Sequence, residues 1–520
     1  MARTVGIGIQ DFAQIIENNY FYIDKTNFIK EWWENGDSVT LIARPRRFGK
    51  TLNLNMLDYF FSNKYMNKGV LFEGLSIWNE EKYRQLQGTY PVISLSFARV
   101  KADNYITARE NICEILTNLY VEYFFLRDSD ALTNKDREYF DQISMDMRDS
   151  VATSALHQLS NFLYRYYGKK VIILLDEYDT PMQEAYVYGF WDELVSFTRS
   201  LFNSTFKTNP YLERAVMTGI TRVSKDSIFW DLNNLEVVTT TSDKYATSFG
   251  FTESEVMTAL EEYILENEFE EVKYWYDGFS FGSFRDIYNP WSILNYLSKR
   301  KLDAFWSNTS SNSLVGKLIR EGNKAIKTTF ETLLEGGTIR CAIDEQIVYN
   351  QLDDNEEAIW SLLLASGYLK VLSREREELV DGREVLYDLN LTNHEVQMMF
   401  KNMVRGWFKR TSSDYNEFIK ALMHDDLEAM NAYMNRVAFR TFSYFDTGNS
   451  IFGEETERFY HGFVLGLIVD LGKVTHFILF VQHISGHETL FGPFAKRRSN
   501  IFSKTNKFTF SKCFVLSTFP

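Results

Sequence analysis

Residues 39–51 read Val39-Thr40-Leu41-Ile42-Ala43-Arg44-Pro45-Arg46-Arg47-Phe48-Gly49-Lys50-Thr51. The first five form a short apolar run bounded by polar residues, the pattern of a strand buried on both faces. A helix is expected over 51–61. Between them lies a loop that ends in Gly-Lys-Thr. Gly49 lets backbone amides approach an anion without a Cβ in the way. The first amides of the helix then face that anion. In a phosphate-binding loop of this kind Lys50 reaches the β- and γ-phosphates, and the Thr51 hydroxyl ligates Mg²⁺. Arg46 and Arg47 add positive charge beside the phosphates. One feature departs from the general pattern: Arg44 stands where a glycine is usual, and Pro45, with its fixed φ, is expected to shape the loop instead.

A second segment has complementary chemistry. Val171-Ile172-Ile173-Leu174-Leu175 is an apolar strand that runs into Asp176-Glu177-Tyr178-Asp179. A buried strand rarely ends in three acids unless a cation or partner compensates them, because desolvating a carboxylate is costly. This is the form of a Walker B segment. Asp176 would hold Mg²⁺, and Glu177 would orient or deprotonate the attacking water. Asp179 is left open between a position near the metal, a helix cap and an ion pair. A further strand, Ala215-Val216-Met217-Thr218, is followed by Gly219-Ile220-Thr221-Arg222. Thr218 or Thr221 is a candidate sensor of the γ-phosphate, and Arg222 a candidate catalytic cation that senses phosphate in cis or acts on a neighbouring subunit. The nucleotide-binding set is thus Arg46, Arg47, Phe48, Gly49, Lys50, Thr51 and Asp176, with Thr51 and Asp176 as Mg²⁺ ligands. The catalytic set is Glu177, Arg222 and Thr218.

Strands are also expected over 91–97, and helices over 108–123 and 151–167. The alternation predicts an α/β P-loop NTPase domain, a parallel sheet flanked by helices. Residues 128–150 read as a charged surface excursion. From about 245 the pattern turns mostly helical. A helix starts near Thr252, another follows Asn289-Pro290 over 291–298, and 353–440 continues helical apart from a hairpin turn at Val380-Asp381-Gly382-Arg383. A last helix is expected over 454–469. No internal repeat is visible.

Composition excludes several classes. The 520 residues are 45% hydrophobic and 24% charged, with 43 Phe and 30 Tyr, so the chain can bury large cores. No run is long enough to span a membrane, and the N-terminal stretch lacks a signal pattern. Cys113, Cys341 and Cys513 fit neither a metal spacing nor a disulfide framework, so a reducing cytoplasm is the expected location. The net charge of −14 argues against a uniformly basic nucleic-acid binder. The charge is uneven. Residues 472–520 hold 7 basic residues, nine Phe and a single acid, Glu488, while 1–471 hold 49 of 56 Lys+Arg and 69 of 70 Asp+Glu.

The segments Tyr22-Ile23-Asp24-Lys25-Thr26, RPRRFGKTL at 44–52, LDEYD at 175–179 and Thr218 to Arg222 resemble the bacterial AAA-ATPase-like proteins. So do Trp275-Tyr276-Asp277-Gly278-Phe279 and Tyr288-Asn289-Pro290-Trp291-Ser292. The resemblance runs from about residue 5 to 471, and arginine at the position of Arg44 is a trait of that family. It implies an N-terminal ATPase domain over 1–240 and a helical domain, with a winged-helix-like option, over 241–350. It further implies a helical region over 351–471 that leads into a PD-(D/E)XK nuclease-like domain. Such a core needs an Asp and then a Glu-x-Lys to hold Mg²⁺. No Glu-x-Lys occurs in 472–520. This incomplete α/β C-terminus therefore reads as a divergent basic tail, from a shifted reading frame or a diverged replacement. Glu80-Glu81-Lys82 and Glu271-Val272-Lys273 have the spacing but read as solvated helical faces. The aromatics of 275–279 and 288–292, and the segment 22–26, read as core.

The expected activity is ATP binding and hydrolysis with ATP and Mg²⁺ as ligands, the nuclease-like end lacking recognisable catalytic residues. The alternatives are a switch or scaffold that binds nucleotide without turnover, and an ATP-regulated, Mg²⁺-dependent DNA nuclease. Nucleic acid is a candidate partner through the basic tail; a membrane is not.

Overall fold

Every residue of Val39–Ala43 (β1) and of Val171–Asp176 (β3) is buried, as continuous apolar runs covered on both faces require. In the computed structural model they belong to one five-stranded sheet with Val92–Ser96 (β2), Leu212–Gly219 (β4) and Leu235–Val238 (β5), in the order β2-β3-β4-β1-β5. All neighbouring pairs are parallel. The model describes residues 2–221, 228–229, 232–306, 313–344, 352, 355–379 and 382–408. These fall in a compact unit, Met1–Lys401, and at the start of a second, Asn402–Pro520. Arg222, the expected helix over 454–469, most of the expected nuclease-like region and the basic tail lie outside the described residues.

The order of the strands decides what meets at their C-terminal ends. β4 lies between β1 and β3, with Ala43 beside Gly219 and Leu175 beside Met217. The loop after β1, the acids after β3 and the polar end of β4 therefore converge at one edge, where parallel α/β sheets bind ligands. Helix Lys50–Phe61 packs on β3, β2 and β4. Helix Trp191–Phe206 packs on helices Tyr105–Glu122, Ala155–Tyr167 and Thr180–Tyr188. The fold matches the expected α/β P-loop arrangement over this region, with β5 added beyond the four strands legible in the sequence.

The middle of the chain has more strand than its periodicity suggests. Phe251–Thr252 (β6), Phe279–Phe281 (β7) and Phe284–Tyr288 (β8) form a small antiparallel sheet. Ile339–Ala342 (β9), Leu369–Leu379 (β10) and Gly382–Leu391 (β11) form another. Leu379 pairs with Gly382, at the position expected for the hairpin, but the strands reach much further, so 369–379 and 382–391 are not helical. Charges on the outer positions of β10 and β11, such as Arg374, Glu375 and Asp388, hide the two-residue period. Of the aromatic motifs, Tyr276, Phe279 and Tyr288 are buried core, whereas Trp275 and Trp291 are half-buried. Among the described residues no helix is long and apolar enough to cross a membrane, and Cys113 and Cys341 are free thiols.

The segment 22–26 ties the N-terminus to this middle region. Lys25, nearly buried, places its ammonium 2.7 Å from both carboxylate oxygens of Glu255 and 2.8 Å from the Thr247 carbonyl. Burial pulls the Lys25 ammonium below its ordinary pKa, against the opposing effect of Glu255. Glu255 also closes the capping box of helix Glu253–Glu262 by accepting from the Thr252 amide at 2.7 Å. Glu255→Ala therefore strands a buried cation and opens a helix start. It is expected to cost about 3 kcal/mol, read as a fall of several degrees in the melting temperature. An unchanged midpoint would remove this assignment.

Candidate functional site

The loop after β1 is built from backbone conformations that suit an anion. Arg47 and Gly49 both have positive φ, at 65° and 83°, and Gly49 is the N-cap of helix Lys50–Phe61. Positive φ is natural for glycine and costly for arginine. Among the described residues, the backbone N–H groups of Arg46, Arg47, Phe48, Gly49, Lys50 and Thr51 donate to no protein acceptor. Successive unspent amides at a helix start form a concave anion site.

Lys50 is buried, and its ammonium lies 2.8 Å from the carbonyls of Arg44 and of Pro45. Burial pushes it down to about 8, opposed by Glu177, Asp176 and Asp179 in that order, and Arg46 adds to the lowering. Thr51 donates its hydroxyl to Asp176 Oδ2 at 2.8 Å. Thr218, fully buried at the end of β4, donates to the other oxygen of Asp176 at 2.5 Å. Asp176 is thus held from both sides. Burial raises its pKa, and the two hydroxyls work against that rise.

Glu177 follows with φ at 49°, a value that non-glycine residues adopt mainly where the surroundings impose it. Its amide points at the Thr218 hydroxyl, 3.4 Å away, and its carboxylate accepts from Thr180 Oγ1 at 3.1 Å. Asp179, left open in sequence, ties two elements together. One carboxylate oxygen accepts from the Ile220 and Thr221 amides at 2.9 and 3.1 Å, and from Thr221 Oγ1 at 3.2 Å. Burial raises its pKa, and the two amide bonds oppose that. Among the described residues it makes no ion pair, and its side chain does not cap the following helix. It fixes the backbone that leaves β4 toward Arg222.

The structure thus brings Gly49, Lys50, Thr51, Asp176, Glu177 and Thr218 to one place. Arg46 is half-buried and bonds Gln183 Oε1 at 3.1 Å, which sets it beside the helix after the acids. Arg47 is exposed, its guanidinium 4.4 Å from the centre of the Trp291 ring. The Phe48 side chain faces the interior, 4.8 Å from Phe279 and 5.5 Å from Phe281 between ring centres, so its part in the loop is its backbone. Arg44 turns away from the loop's amides. It bonds the carbonyls of Thr239 and Lys244 and lies 4.2 Å over Phe281. Burial pushes its guanidinium down to about 9. Arginine here anchors the chain beyond β5, which is why a glycine is not required.

Three further residues at the site escape sequence reasoning. Gln183 orients Arg46. Asn289 and Trp306, far along the chain, donate to the Arg46 carbonyl at 3.3 and 3.0 Å. In sequence, Asn289-Pro290 marks a helix start within the family-like segment Tyr288 to Ser292 and carries no sign of a link to the loop. Nothing in local pattern marks Trp306.

Comparisons agree with this geometry. Residues 6–229 match the model of a family described as Predicted AAA-ATPase. The match covers four of the sheet's five strands, the loop and both acids, and it supports nucleotide binding by this part of the chain. It ends well short of residue 471 and carries no nuclease-like fusion. The chain is also 26% identical over 397 residues to an uncharacterised protein from the vnfD 5' region of Azotobacter chroococcum mcd 1, an alignment covering 76% of this chain and 68% of that protein.

Gly219 shows how closely the site is packed. A Cβ there would lie 2.7 Å from Tyr178 Cε1 and 2.8 Å from the Asp179 carboxylate. Gly219→Ala is expected to destabilise the fold by about 1–3 kcal/mol through overpacking, measured by chemical denaturation. A variant as stable as the parent would mean that Asp179 is free to move.

Proposed function

We propose that this chain is a P-loop ATPase that binds ATP with Mg²⁺ at the loop 44–51 and hydrolyses its γ-phosphate bond. The observation that carries the reading is the run of six backbone amides, Arg46 to Thr51, without an acceptor among the described residues at the start of a twelve-residue helix. Such a run favours a phosphate chain over a neutral ligand. The family match over 6–229 supports the same reading.

The Lys50 ammonium supplies the point charge for the β- and γ-phosphates. Thr51 Oγ1 and Asp176 Oδ2, 2.8 Å apart, are hard oxygen donors of the kind Mg²⁺ prefers. Bound there, the ion neutralises charge on the phosphate oxygens. Glu177 accepts the proton of the attacking water, and Thr218 holds Asp176 and the Glu177 amide in register. Arg46, Arg47 and Arg222 provide cations for the charge that develops in transfer. The stretch 472–520, which contains no Glu-x-Lys, contributes no nuclease chemistry in this reading.

Two substitutions test the roles. Lys50→Ala should weaken ATP binding by at least about 100-fold, since a buried charge-assisted contact to phosphate is lost. Unchanged affinity in calorimetry would refute the site. Glu177→Gln should keep ATP affinity within a few-fold and slow turnover by about 10²–10⁴-fold. Undiminished phosphate release would remove its role as base. A parent protein that binds ATP without releasing phosphate would be the non-hydrolysing switch instead.

A further inference from the structure

The peptide that joins Arg46 to Arg47 is held from outside the strand-loop-helix unit. Its carbonyl accepts from Trp306 Nε1 at 3.0 Å and from Asn289 Nδ2 at 3.3 Å. Both donors are buried, and both stand on fixed supports. The Asn289 Oδ1 accepts from the Trp291 and Ser292 amides at 2.9 and 3.3 Å. Those bonds identify which end of the amide is oxygen and turn the NH₂ toward Arg46. The Trp306 amide donates at 2.5 Å to Glu395, a fully buried carboxylate that also accepts from Ser292 Oγ at 2.8 Å. The Trp306 ring lies between Phe279 and Tyr368, at 5.4 and 5.5 Å between centres.

A trans peptide places its carbonyl and the next N–H on opposite sides, and the described chain contains no cis bond. Fixing the Arg46 carbonyl on the side of Trp306 and Asn289 therefore fixes the Arg47 N–H on the other. The residue that follows this peptide, Arg47, has a φ of 65°, which arginine does not favour by itself. Resting on the reading of this loop as a phosphate site, we propose that Trp306 and Asn289 are positioning residues for nucleotide binding: they set the Arg46–Arg47 peptide so that the loop's amides form an anion cradle before ATP arrives. Both lie beyond residue 229, where the family match ends. The phosphate site is thus completed by the middle of the chain, and the strand-loop-helix unit alone is not enough.

Trp306→Phe keeps one aromatic ring, loses the rest of the indole and deletes the N–H. Asn289→Asp keeps the helix cap, for which aspartate serves as well as asparagine, and deletes the NH₂. With ATP and ADP affinities measured by calorimetry on the full chain, each variant should bind about 5-fold more weakly, and the double variant about 25-fold, one hydrogen bond at a time. Melting temperatures without nucleotide report the packing lost with the smaller ring of Trp306→Phe, and the ATP and ADP affinities of the still-folded variant report loop positioning separately. In the parent, the emission of Trp306, isolated by subtracting the Trp306→Phe spectrum, should change when ATP binds. If Trp306→Phe binds both nucleotides as the parent does and the difference spectrum ignores ATP, the proposal is overturned while the ATP reading stands. If the parent itself binds no nucleotide, both fall. Should Asn289→Asp fail to fold, the Trp306→Phe affinity and spectrum still decide.

Discussion

A peptide N–H with no acceptor in its own chain must find one elsewhere. From Arg46 to Thr51 this protein presents six groups in succession that have no acceptor among the described residues, at the point where a parallel sheet hands its chain to a helix. Much of what surrounds them serves to hold that loop open to an anion. Pro45 and Arg44 lead into it, the latter anchored to the chain beyond β5. Gly49 allows the positive φ at the helix start. Asp176, hydrogen-bonded by Thr51 and Thr218, locks the loop to the ends of β3 and β4.

That arrangement follows from the strand order. Because β4 separates β1 from β3, a hydroxyl from β4 can reach the acid at the end of β3, and Thr218 does so with no room for water between them. Asp179 then spends its buried carboxylate on the backbone of Ile220 and Thr221. Its charge is offset by N–H donors, which is how a buried carboxylate is normally tolerated. The small β6-β8-β7 sheet and the segment 289–306 cover the other side of the loop, with Phe48 inserted among Phe279 and Phe281.

The sequence made the α/β domain legible because two short runs, 39–43 and 171–175, are apolar throughout and end in groups whose chemistry is complementary. That Lys50, Thr51 and Asp176 meet at one end of the sheet could be expected from residue type and spacing alone. Other parts were hidden for physical reasons. β5 is short and only half-buried, with Glu236 in its middle, so it lacks the signature of a buried strand. The long β10-β11 hairpin carries charges that mask its period. Asn289 and Trp306 reach the loop through tertiary packing, across 243 and 260 residues of chain, and no local rule connects them to it. Phe48 was read with the nucleotide-binding residues because of its place in the motif, whereas its ring belongs to the core.

The central claim is that the loop recognises a chain of phosphates. The most direct measurement is an affinity series for ATP, ADP, AMP and adenosine in the presence of Mg²⁺. The account requires binding by ATP and ADP and a steep loss, about 100-fold or more, once the β-phosphate is gone, as expected when charge-assisted bonds to amides and an ammonium supply the affinity. Adenosine binding as tightly as ATP, or no binding by any of the four, would contradict it.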